Sequence, residues 1–298
     1  MENKALMIDG VTKEYKNFKL DNASFTVEPG TVMGLIGQNG AGKTTIVRLI
    51  MNMISRKSGK ISVFGYDNID DEIKVKNLLG YVADEDFMFG GSKLKNNAAV
   101  YSELFDEWDN EKYQKYIKFW DIPDDKKVSS YSKGTKTKAM LALALSHNPQ
   151  LLILDEPTAG LDPVARMEVL DILRDFVSDG KKSVLFSTHI TGDLDKIADA
   201  ITIIIDGKVT ESLNIDQIED KYAVISGNNS ELGGHEGRLI GLRKGNVNFE
   251  ALVKRSDLEL FKNIAVTSPN AENLLTYSIW NNRKDKLRDI ISDKGEQA

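Results

Sequence analysis

The chain has 298 residues, 41% of them hydrophobic and 28% charged, with a formal net charge of −6 and no cysteine. This length permits a large core and more than one domain, and the composition is that of an ordinary soluble globular protein and not of a disordered chain. The acidic balance disfavours a nucleic-acid partner, the lack of cysteine excludes disulfides and thiolate metal sites, and no apolar run approaches the ~20 residues that cross a bilayer.

The opening MENKALMIDG lacks the charged and apolar regions of a signal peptide, so a cytoplasmic chain is expected. ALMIDGV and FKLDNASFTV read as strands; after a Pro29-Gly30 turn, TVMGLIG reads as a third that runs into a glycine loop. From Thr44 to about Asn52 the residues Ile46, Val47, Leu49, Ile50 and Met53 recur at helical spacing. KISVFG (60–65) and LLGYVA (78–83) read as further strands, the second stopping at Asp84-Glu85-Asp86.

Residues 87–148 are aromatic, charged and helical in character, which predicts an inserted helical subdomain. Its run Tyr101, Leu104, Phe105, Trp108, Tyr113, Tyr116, Ile117 and Trp120 reads mostly as the subdomain's own core and in part as a candidate partner contact. The β/α pattern resumes with LLILDEP (151–157), a helix over 163–177, the strand SVLFST (183–188) and a further helix. ITIII and KVTES then flank Asp206-Gly207, a two-residue hairpin signal. Beyond about Leu213, YAVISG, RLIGLRKG and NFEALVKR read as short strands, ENLLTYSIW as a helix and the charged tail as a solvated helix. The expected fold is α/β: a mainly parallel sheet core with an N-terminal antiparallel β part and a helical subdomain over about 87–148, all within 1–213, followed by a small α/β domain over 214–298.

The stretch GLIGQNGAGKTTIVRLI places Gly37, Gly40 and Gly42 between a strand and a helix, with Lys43 and Thr44 at the helix start. Gly37-x-x-x-x-Gly42-Lys43-Thr44 fits the phosphate-binding P-loop pattern in the context that pattern requires. Bare backbone lets successive N–H groups converge on phosphate oxygens, and the helix adds the positive end of its dipole. Lys43 is expected to neutralise the β and γ phosphates and the Thr44 hydroxyl to ligate Mg²⁺. A tight turn before a helix accounts for one glycine but not for three followed by Lys-Thr. In LLILDEP, Asp155 and Glu156 emerge at the carboxyl end of a buried strand, where open parallel sheets bind ligands. That end lies beside the P-loop if the two strands are neighbours. Asp155 is then expected to hold Mg²⁺ through water, and Glu156 to be the general base that polarises the attacking water.

With these residues in place, the chain resembles the nucleotide-binding domain of ATP-binding cassette (ABC) proteins over residues 1 to about 215. YSKGTK (131–136) resembles the family's signature loop, Ala159-Gly160-Leu161-Asp162 its D-loop, and His189 in FSTHI its switch histidine. The resemblance implies a P-loop NTPase fold of the ABC type that binds ATP and Mg²⁺. It makes Tyr15 the aromatic that stacks on adenine and the loop Gly37, Asn39, Gly40, Ala41, Gly42, Lys43, Thr44 and Thr45 the phosphate cradle. Ser132, Gly134 and Asp162 would act on nucleotide held by an opposite subunit, and His189 would contact the γ-phosphate and Glu156. Three departures stand out in the signature loop: Tyr131 for leucine, Lys133 for the first glycine and Thr135 for glutamine. Asp84, followed by Glu85, occupies the place of a glutamine that serves Mg²⁺ or the attacking water, and it is carried over as a candidate catalytic and metal-binding residue without the amide donor.

The S-x-G form of the signature loop resembles the branch serving ABC-2 type exporters. This implies an ATPase subunit that powers separate integral-membrane permease subunits, pairs with a second nucleotide-binding subunit (a homodimer, since both catalytic halves are intact) and sits on the inner face of the membrane through the permease. The alternative is an ABC ATPase acting on nucleic acid or ribosomes. Such relatives carry two cassettes or a long coiled-coil interruption, and neither is present here. No nucleic-acid partner is expected. A P-loop GTPase or kinase is disfavoured by the absence of an N-K-x-D element.

Overall fold

β1 (Leu6–Tyr15) and β2 (Phe18–Val27) alternate buried and exposed residues over much of their length and pair antiparallel, as strands with one solvated face do. The computed structural model describes residues 4–84 and 87–293. β3 (Val32–Ile36) is instead buried at every position, the pattern of a strand covered on both faces, and it leads through the glycine loop into α1 (Lys43–Ile50). β4 (Ser58–Val63) returns to the other edge of β1, and β5 (Tyr66–Asp67) completes an antiparallel sheet of order β2-β1-β4-β5.

α2 (Glu72–Leu78) runs directly into β6 (Leu79–Val82). The helical subdomain follows as α3 (Leu94–Leu104), α4 (Asn110–Phe119) and α5 (Lys133–Leu145). Asp109 caps α4 by accepting from Lys112 N at 2.9 Å. Tyr113, Ile117 and Trp120 are buried, while Leu104 and Phe119 are exposed, so the aromatic run is largely the subdomain's own core. His147, just beyond α5, stacks on Phe105 with ring centroids 3.9 Å apart and sits 2.9 Å from Leu79 O through Nε2. That bond ties the subdomain to the start of β6.

β7 (Leu151–Asp155), α6 (Pro163–Val177), β8 (Ser183–Thr188), α7 (Thr191–Ile197), β9 (Ala200–Ile205) and β10 (Lys208–Asn214) complete a six-stranded sheet of order β10-β9-β3-β8-β7-β6. The pairs β6/β7, β7/β8, β8/β3 and β3/β9 are all parallel. β3 and β7 are therefore not neighbours: β8 lies between them. The end of β8, which carries His189, is interposed between the P-loop and the Asp155-Glu156 pair, two strand spacings or about 10 Å apart. A core of Leu35, Ile46, Leu49, Ile61, Ile153 and Leu185, among others, joins α1, the antiparallel sheet and this central sheet.

The chain folds as two compact units, Met1–Ser212 and Leu213–Ala298. The second holds α8 (Asp216–Lys221), β11 (Tyr222–Asn228), β12 (Leu239–Lys244), β13 (Asn248–Lys254), β14 (Ala265–Thr267) and α9 (Ala271–Asp293). Its antiparallel sheet has the order β12-β13-β11-β14 around Ile225, Phe249, Ala251, Val253 and Phe261.

Candidate active site

Two of the loop's glycines are required for different reasons. A Cβ on Gly37 would lie 2.4 Å from Ile204 O, so that residue lets the loop pass over β9. Gly42, at φ 118°, is the N-cap of α1 and turns the chain into the helix with its first N–H groups facing outward. Lys43, the first helical residue, is 6% exposed. Its Nζ donates to Gly37 O at 2.9 Å and to Gln38 O at 3.5 Å, and lies 3.2 Å from Glu156 Oε1. The long side chain thus spans the gap that β8 opens between β3 and β7.

Glu156 is held from several sides. Its backbone has φ 51°, a left-handed conformation that a side-chain-bearing residue keeps only when its surroundings enforce it, and its N–H donates to Ser187 O at 2.9 Å. Oε2 accepts from His189 Nδ1 at 2.8 Å and from His189 N at 3.3 Å. A carboxylate only accepts, so Nδ1 carries the hydrogen. Oε1 is buried and, although beside the Lys43 ammonium, is out of line for a hydrogen bond and has no hydrogen-bond donor. Asp155 is 2% exposed, and its Oδ1 accepts from the Ser187 hydroxyl.

Gln38, Asn39, Gly40, Gly42, Lys43, Thr44, Thr45, Asp84, Lys133, Glu156, Ala159 and His189 line one pocket of about 390 Å³. Gly37 and Ala41 belong to its loop, and Asp155 lies in the strand beneath it. Tyr15 does not line it: the ring is exposed at the end of β1, 6.3 Å from that of Phe18, and Phe18 is the ring that approaches Gly42. Ser132, Gly134 and Asp162 line a second pocket of about 450 Å³, with Trp120, Tyr131 and Lys138. There Ser132 caps α5 by accepting from Thr135 N at 3.1 Å, and Asp162 caps α6 by accepting from Val164 N and Ala165 N, each at 3.0 Å. The Ala165 N–H, with that of Val164, holds the Asp162 carboxyl below its ordinary pKa.

Asp84 lines the first pocket and also pairs with the signature loop. Its Oδ1 accepts from Lys133 Nζ at 2.8 Å, so the two unusual residues of the signature loop and of the loop after β6 form an ion pair at the rim of the first pocket. Glu85 lies outside the described residues. Sequence reasoning treated Lys133 and Asp84 only as separate departures; two departures of opposite charge were the available signal for the pair. Ser187, Thr158 and Asp193 were not singled out, because the contacts that give them a role are made between segments about 30 residues apart.

The ABC transporter family profile matches residues 20–159, and a profile of an AAA domain matches residues 127–194. The daunorubicin resistance ATP-binding protein DrrA3 of Streptomyces coeruleorubidus is 34% identical over 225 residues, 74% of this chain and 71% of its own. The chain belongs to the ABC transporter ATP-binding proteins. The ABC transporter ATP-binding protein YtrB of Bacillus subtilis (strain 168) is 28% identical over 281 residues, 93% of each chain, and so extends through the second unit. A solved ATP-binding subunit of an ABC transporter superposes with a TM-score of 0.67 at 25% identity, covering 72% of this chain and 92% of that one. As a member of this family the chain is an ATP-binding and ATP-hydrolysing transporter subunit, and none of these relatives supports the nucleic-acid alternative. Among the described residues no helix is long and apolar enough to cross a membrane.

Proposed function

We propose that the first pocket takes the triphosphate of ATP and that two copies of this chain close over two nucleotides, each site joining one copy's P-loop to the other's signature loop. The observation that carries the reading is the division of the site residues between two pockets. Lys43, Thr44, Glu156 and His189 share one, while Ser132, Gly134 and Asp162 line another and are not among the residues of the first. Nucleotide binding that satisfies both halves favours the closed pair, because only the closed state makes both sets of contacts.

In this reading Lys43 and the N–H groups of residues 39–45 hold the phosphates, Glu156 takes a proton from the attacking water, and His189 keeps Glu156 aimed through its Nδ1–H. Tyr15 is assigned to the adenine as the family resemblance implies, with Phe18 beside it. Mg²⁺ fits the donor set: Thr44, Asp155 and Asp84 offer only hard oxygen ligands, and Glu156 Oε1 is a buried acceptor without a donor of its own. Among the described residues no three His, Cys, Asp or Glu side chains are grouped for a metal, so the ion would depend on the nucleotide's own oxygens. When bound it supplies charge neutralisation at the phosphates.

We assign residues 1–213 to the cassette and 214–298 to an accessory domain. Separate permease subunits would hold the protein on the inner face of the membrane. Phe87, Phe89, Val100 and Leu104 are exposed apolar residues on the loop after β6 and on α3, and Asn97 Oδ1 accepts from Phe89 N at 2.8 Å, which keeps that loop beside the helix. This surface is the one we assign to the permease. Export of the ABC-2 type rests on the S-x-G signature loop and is in keeping with a relative named for drug resistance.

Glu156→Gln tests the reading. It keeps every phosphate donor and removes the base, so ATP binding should persist and dimers accumulate while kcat falls by about 10²- to 10⁴-fold. Parental turnover by this variant would remove Glu156 from the mechanism.

A further inference from the structure

Asp193, on α7, is fully buried although it is charged, and it does not line the nucleotide pocket. Both of its oxygens are engaged: Thr158 Oγ1 donates to Oδ2 at 2.7 Å and Arg166 Nε to Oδ1 at 2.5 Å. Burying a carboxylate is costly unless it is paired, and an apolar side chain would serve packing alone at least as well. The pairing therefore calls for a role beyond filling space.

The three residues belong to three segments that carry site residues. Thr158 stands two residues beyond Glu156, Asp193 four beyond His189, and Arg166 four beyond Asp162, whose C=O accepts from Arg166 N at 3.0 Å. Nearer the sheet the first two segments are already bonded, by the Ser187 hydroxyl to Asp155, by Glu156 N to Ser187 O, and by His189 to Glu156 Oε2 at 2.8 Å. The Thr158–Asp193 bond is the outermost rung of this ladder. Glu156, at φ 51°, sits between rungs on both sides, which is what an unfavourable backbone conformation needs if it is to persist.

We propose that Asp193 is a positioning residue for hydrolysis. Through Thr158 it fixes the loop that aims the Glu156 carboxylate at His189, and through Arg166 it fixes the start of α6, and with it Asp162. The proposal rests on the reading of Glu156 as the group that acts on the attacking water.

Thr158→Val keeps the shape of the side chain and removes the donor; Thr158→Ser keeps the donor. In the full chain, Thr158→Val and Asp193→Asn should each lower kcat by about 10- to 100-fold, with nucleotide affinity held to within about twofold. Thr158→Ser should restore kcat. Melting temperatures measured alongside separate aiming from folding. Parental kcat in Thr158→Val, a loss divided equally between kcat and nucleotide affinity, or a loss that serine does not recover would overturn the proposal. An active Glu156→Gln would end the underlying reading. An inactive Glu156→Gln beside fully active Thr158→Val and Asp193→Asn would end this proposal alone.

Discussion

In the nucleotide pocket the acting side chains are engaged by their own chain: Lys43 is buried against two carbonyls and Glu156, and Glu156 is bonded to His189 in turn. In the signature-loop pocket Ser132 and Asp162 are exposed, and each accepts from the helix turn it caps. In the proposed two-copy site the difference follows from what each set would meet. Groups that act on a ligand held by their own chain can be preorganised by internal bonds, which lowers the cost of arranging them during reaction. Groups directed at another copy would have to stay at the surface, and a helix cap fixes them there.

The contrast is sharpened most by Lys43→Ala. The variant removes a charge-assisted donor worth about 1.5–3 kcal/mol and leaves the Glu156 carboxylate without its ion partner. Nucleotide affinity of the isolated chain should fall by about 10- to 100-fold, read by titration with a fluorescent nucleotide. An unchanged affinity would mean that the buried ammonium is structural.

Ser132→Ala addresses the other pocket. Affinity of the dilute chain for nucleotide should be unaffected, while nucleotide-dependent self-association should weaken by about 10-fold. Loss of the cap also costs helix α5 about 1 kcal/mol, so Ser132→Asn serves as the control. Asparagine restores a capping oxygen and should recover the melting temperature but not the association. Equal losses in both assays for Ser132→Ala would break the division between the pockets.

The smallest expected effect concerns the frame that carries the signature loop. Burial lowers the pKa of His147 below its ordinary 6.5, and the Leu79 carbonyl it faces can only accept, so the folded state holds a neutral ring with hydrogen on Nε2. Because the folded state binds this proton less readily than the unfolded one, the contribution is present above pH 6.5 and is lost as pH falls through the depressed value. Urea midpoints measured across that range should fall with acidification for the parent and fall less steeply for His147→Gln.

Much of this arrangement was legible from residues adjacent in sequence. The P-loop is one contiguous pattern, and α6 begins and ends where Asp162-Pro163 and the apolar spacing place it, over Pro163–Val177. β2 and β8 likewise occupy the stretches that their composition marks. α2, α8 and β14 went unread because elements of three to seven residues carry too little periodicity to separate from a loop. The strand order was not available either, so β8 between β3 and β7 emerged only in the folded chain, and with it the span that Lys43 must cover. The bonds Thr158–Asp193 and Lys133–Asp84 join residues 35 and 49 positions apart, where no local pattern points from one partner to the other.

The central claim, that one working site is assembled from two copies, is tested most directly by mixing two impaired variants. Lys43→Ala damages only the P-loop half and Ser132→Ala only the signature half. In a mixed pair one site carries both lesions and the other carries neither. An equimolar mixture should therefore gain ATPase activity from intact sites amounting to about one quarter of the parent's under random pairing, above the impaired activity of either variant alone. A mixture no more active than its components, under conditions where mixed pairs are shown to form, would contradict the claim.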